Sequence, residues 1–113
     1  MYLIERLRTV NGIPVALHQS YLPMNLAPDL QHEDLEKRSL YEILASRYRL
    51  GVGHAQETLE SSLATEYESV VLGVPAGAPM LLLNIRLSSL DGRPLEVVKV
   101  AFRGDRVTLR QEI

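Results

Sequence analysis

Two apolar stretches of strand length flank Asp91-Gly92: one runs from Met80 through Leu87, the other from Leu95 through Phe102. Asp-Gly between such runs predicts a long antiparallel hairpin, because glycine tolerates the positive φ of a tight turn. Val107-Thr108-Leu109, after the turn Arg103-Gly104-Asp105-Arg106, is expected to add a third short strand. Near the N-terminus the pattern repeats: Tyr2 to Val10, the turn pair Asn11-Gly12, then Ile13 to Leu22 predict a second hairpin. Pro14 is tolerable there because its missing N–H can face an edge or a bulge.

Between the hairpins the period changes. Leu40, Ile43 and Leu44, with Arg47-Tyr48, follow the spacing of a helix that faces a sheet, with Ser39 as N-cap and Glu42 three residues on. Leu50-Gly51-Val52-Gly53 is expected to end it with a left-handed glycine. His54 to Ala64 predicts another strand, and Thr65 with Glu68 predicts the cap of a short helix that Gly73 terminates. The order predicts an α+β fold, a mostly antiparallel sheet with helices on one face. The strand pairs at the two ends of the sequence are expected to leave edges open to a second subunit.

Composition narrows the function. At 113 residues the chain suits one domain, and its formal charge of −2 argues against a nucleic-acid surface of its own. There is no cysteine, hence no disulfide or thiolate chemistry, which fits a reducing cytoplasm. No run approaches the ~18 apolar residues of a membrane span, so no membrane partner is expected. No phosphate loop, dinucleotide fingerprint, nucleophile elbow or zinc-protease motif occurs. His18, His32 and His54 fall in three separate elements, so neither a metal site, a cofactor nor a catalytic set is expected.

The candidate chemistry is anion binding. Arg6 and Arg8, two apart on a strand, leave the same face, and each guanidinium offers a planar fork of donors to a phosphate or carboxylate. A solvated strand face with cross-strand ion pairs is the plainer alternative. His18 joins the arginines only if the first hairpin has the right parity. A regular two-residue turn pairs Arg8 with Val15 and sends His18 to the other face, whereas a bulge or longer loop brings Arg8 opposite His18. Glu96 alternates onto one face with Val98, Val100 and Phe102, and a carboxylate in such a row implies a function or a partner, with Arg86 as the candidate. The helix start at Ser39 adds a weaker anion site.

Taken together, Arg6-x-Arg8, Asn11-Gly12-Ile13-Pro14-Val15, Ser20-Tyr21-Leu22-Pro23, Ser39-Leu40-Tyr41-Glu42-Ile43-Leu44, Leu72 through Leu81, Asp91 through Glu96 and Arg103-Gly104-Asp105-Arg106 resemble the UTRA domain. This is the effector-binding domain of GntR-type transcription regulators of the HutC group, and the resemblance spans nearly the whole chain. It implies a chorismate-lyase-like fold, a small-molecule effector, a phosphorylated or carboxylated metabolite, and a homodimer. DNA would be contacted only through an N-terminal winged-helix domain, expected to be absent here together with the family's opening helix and first strand. By resemblance Arg6, Arg8, Ser39 and Tyr41 contact the effector's anionic or polar head, and Glu96 takes its hydroxyl or amine groups. His18 stands where members similar to amino-sugar-phosphate sensors carry Glu, and Phe102 where they carry Tyr, which shifts the expectation toward a less hydroxylated anion. A small lyase using Glu96 and His18, and a ligand-free dimerisation module, are the rival readings.

Overall fold

A computed structural model describes residues 1–26, 29, 40–48, 51–108, 110 and 112. Its elements are β1 (Tyr2–Val10), β2 (Ile13–Leu22), α1 (Leu40–Tyr48), β3 (Val52–Leu63), α2 (Glu66–Leu72), β4 (Pro79–Ser89) and β5 (Pro94–Arg103). The strands form one antiparallel sheet in the order β1-β2-β5-β4-β3. The long hairpin β4–β5 therefore occupies the middle of the sheet, and the open edges are β1 and β3. This corrects the expectation of one edge from each terminal strand pair. Val107 and Thr108 form no strand, and Leu109 lies outside the described residues.

Local chemistry accounts for most boundaries. Asn11 and Gly12 both hold positive φ, 51° and 78°, the conformation of a type I′ turn whose twist matches the strands it joins. Thr65 Oγ1 accepts from the Glu68 amide at 3.1 Å, and the Glu68 carboxylate accepts from the Thr65 amide at 3.1 Å, completing a capping box for α2. Gly73 closes that helix at φ 69°. By contrast Gly51 and Gly53 hold no positive φ, so the expected left-handed stop is not there. Gly53 instead belongs to β3, where a Cβ would sit 2.7 Å from the Leu90 backbone, so close approach rather than turn geometry demands glycine. Arg103 to Arg106 is the tight turn expected, with the Arg106 amide on the Arg103 carbonyl at 3.2 Å and Arg103 paired to Asp105 at 2.9 Å.

The helices lie on opposite faces of the sheet, a second correction. Ile43 and Tyr48 of α1 pack with Tyr2, Ile4, Leu22, Ile85 and Leu87, whose alternation defines a front face. Val71 and Leu72 of α2 pack with Leu17, Met80, Leu82 and Ala101 on the back. Each fully buried leucine or isoleucine in these clusters is worth about 1.5–3 kcal/mol of transfer free energy.

Candidate functional site

Register decides what the front face carries. Thr9 pairs with Pro14 and Arg8 with Ala16, so Val15 is an extra residue on β2, a bulge directly after the turn. A bulge of one residue swaps the faces of everything beyond it. It sets Arg6 opposite His18 and brings both arginines, His18, Glu96 and Phe102 onto one face. The parity question left open by the residues is thus answered by the bulge, although the partner of Arg8 is Ala16 and that of His18 is Arg6.

Across the sheet the front-face rungs read Arg8, Ala16, Phe102, Leu81; then Arg6, His18, Val100, Leu83; then Ile4, Ser20, Val98, Ile85. Glu96 sits one rung further, beside Leu87, at the end covered by α1. Its rung is four residues from that of His18, about 13 Å along β5. Arg8 is exposed, Arg6 and His18 are half-buried, and Glu96 is only 3% exposed. Ala16 puts no more than a methyl group between Arg8 and Phe102. Beside Phe102 lies a hollow of about 320 Å³ walled by Leu59, Leu81 and Leu83, residues that sequence reasoning missed although the even spacing of the leucines on β4 placed them on one face.

The electrostatics belong to a cationic patch. Burial holds His18 below its ordinary pKa of about 6.5. The positive charge of Arg8 pushes the same way, Glu96 opposes it, and Arg6 adds to the lowering. His18 Nδ1 is buried and makes no hydrogen bond among the described residues. Arg8 likewise meets no carboxylate there, so the expected alternative of cross-strand ion pairs does not apply to it.

Other expected contacts are rearranged. Arg86 pairs in register with Val97 and Glu96 with Leu87, so the two side chains leave opposite faces and Arg86 is not the partner of Glu96. Arg86 lines instead a cleft of about 730 Å³ at the end of the sheet, with Tyr21, His54, Gln56 and Val97 and with Leu87 and Glu96 of the front rungs. This cleft, larger than the front hollow, contains Glu96 but neither arginine of the pair. Tyr41 belongs to α1, but its side chain lies outside the described residues, as do Ser39 and His32. Among the described residues no cluster of histidines and carboxylates has metal-binding geometry, and no helix is long and apolar enough to cross a membrane.

A five-stranded antiparallel sheet with helices on its faces is the architecture of the chorismate-lyase-like class. Residues 1–108 match the UTRA domain, and the chain belongs to that family, the effector-binding domains of GntR/HutC-type transcription regulators. It is 33% identical over 108 residues to the HTH-type transcriptional repressor NagR of Bacillus subtilis, covering 96% of this chain and 44% of NagR. It is 31% identical to the HTH-type transcriptional repressor PhnF of Mycolicibacterium smegmatis, covering 93% and 43%. The crystal structure of the PhnF effector domain superposes with a TM-score of 0.88 at 30% identity, over 98% of this chain and 68% of that one. The C-terminal domain of YurK from Bacillus subtilis shares the fold with a TM-score of 0.91 at 18% identity, over 98% and 77%. The chain thus spans less than half the length of these two repressors, and their names describe regulators rather than enzymes.

Proposed function

We propose that this chain is the sensing part of a cytoplasmic bacterial transcription regulator, and that its effector is a small anionic metabolite bearing a phosphate or carboxylate. The anionic head is held by Arg6 and Arg8 with His18 alongside, Phe102 and the leucine-walled hollow receive apolar parts, and Glu96 meets a polar group at the far end. Ser39 and Tyr41 join the head group from the start of α1. The observation that carries this reading is the shared front face, on which Arg8 stands without a carboxylate partner among the described residues.

Signalling follows from differential affinity. The effector shifts an equilibrium between two arrangements of a homodimer, by no more than its preference for one of them. The edges β1 and β3, with β3 exposed along nearly its whole length, are surfaces open to such pairing. DNA is reached through a winged-helix domain outside this chain.

The test is a thermal-shift screen of wild type and Arg8→Ala against phosphorylated and carboxylated metabolites. Wild type should gain stability with ligand concentration, about 2.7 kcal/mol at a hundredfold excess over Kd. Arg8→Ala should keep its melting profile and lose that gain, since a charged hydrogen bond is worth about 1.5–3 kcal/mol. An undiminished response in the variant would remove the anion-grip role.

A further inference from the structure

Of the described residues in the front-face cluster, His18 is the one whose side chain ordinarily titrates near neutral pH. It faces Arg6 directly across the β1–β2 pair, with Arg8 two residues along the same strand face. On its other side stand Val100 and Leu83, which carry no charge. Among the described residues, Glu96 is the carboxylate whose field reaches it, and Glu57, on the same face of β3, stands three strands away, about 14 Å. From α1 the front core receives Ile43 and Tyr48, while Glu42 and Arg47 are exposed. Two guanidiniums thus stand beside an imidazole whose charged form is disfavoured by burial and by their charge. Its buried Nδ1 makes no hydrogen bond among the described residues.

A fully ionised oxyanion changes the charge balance. It presents acceptors only, and its negative charge offsets the repulsion between the guanidiniums and an imidazolium. We propose that His18 is a proton-linked third cation of the site: a doubly charged oxyanion binding at Arg6 and Arg8 draws one proton from solvent onto His18, which then donates to the ligand. This deepens the anion-binding role proposed above and rests on it. Its consequences are two. The domain should prefer dianionic groups over carboxylate monoanions, and effector affinity should rise as pH falls through the neutral range. A Gln in place of His18 would still hydrogen-bond, but the proton would no longer be part of the equilibrium.

Sulfate is the suitable probe because it stays a dianion across the range, so any pH dependence belongs to the protein. Calorimetric titration of the 113-residue chain with sulfate from pH 5.5 to 8.5, in buffers of different ionisation enthalpy, reads the protons taken up per sulfate bound. The expected result is uptake approaching one proton, with affinity strengthening by up to about tenfold per pH unit toward acid while His18 titrates. The His18→Gln variant should bind sulfate with no pH slope. Independently of that variant, the imidazole resonances of His18 in wild type should titrate at higher pH with sulfate than without. Sulfate affinity that is level across the range, with an unmoved His18 titration, overturns the proton linkage and leaves the arginine site standing. A folded wild type that binds no sulfate at any pH overturns the arginine site, and this inference with it.

Discussion

The two faces of the sheet differ in how some of their polar groups are met. On the back, Tyr67 Oη donates to both oxygens of Glu5 at 2.9 and 3.1 Å, Gln19 Nε2 donates to Glu5 at 3.2 Å, and Lys99 stands 3.6 Å from Glu68. The hydrogen bond from Tyr67 leaves its hydroxyl harder to ionise than usual, the mark of a proton already committed to Glu5. On the front, Arg8 and His18 Nδ1 find no such partner among the described residues, and burial with the neighbouring guanidiniums disfavours the charged imidazole. Where polar groups are matched within the chain they locate α2 on the sheet. Where they are left unmatched, a ligand of complementary charge gains what the fold did not use.

This contrast can be broken at several points. The largest effect should come from Ile43→Ala, which removes the side chain α1 buries completely against the front core. A loss of about 2–5 kcal/mol in denaturant unfolding is expected, with the anion response weakened as α1 loosens. A loss below about 0.5 kcal/mol would show that α1 does not depend on this contact. Thr65→Ala should cost about 1 kcal/mol by removing half of the capping box, and should leave sulfate affinity unchanged because α2 lies on the other face. Smallest of all, Arg86→Ala in the larger cleft should alter stability by no more than about 0.5 kcal/mol and leave the anion response intact. If Arg86→Ala abolished the response instead, the ligand would belong in the cleft that Arg86 shares with Glu96, and the Arg6–Arg8 grip would fail.

Much of this was legible in local chemistry. Asn11-Gly12, the Thr65 and Glu68 pair, Gly73 and the alternation of Glu96, Val98, Val100 and Phe102 each act over a few residues, so their types alone specify the geometry. The Arg103–Asp105 turn belongs with them. What escaped was less local. Nothing in Pro14-Val15-Ala16 dictates that Val15 rather than a neighbour should bulge, because a bulge is a compromise between turn and ladder register. The need for glycine at position 53 arises from the Leu90 backbone, thirty-seven residues away. The pairing of Arg86 with Glu96 failed for a related reason: alternation within a strand says which residues share a face, but the register between strands says which residues meet.

By itself the sequence determined the elements, the turn types and the presence of an arginine pair on a single strand face, because these follow from backbone preferences and side-chain period. Only the tertiary structure decided that β5 lies at the centre, that the helices take opposite faces and that His18 joins the arginines. Those outcomes depend on the burial of Leu22, Ile43, Leu72 and Val98 all at once, and one extra residue in β2 is enough to turn every side chain beyond it to the other side.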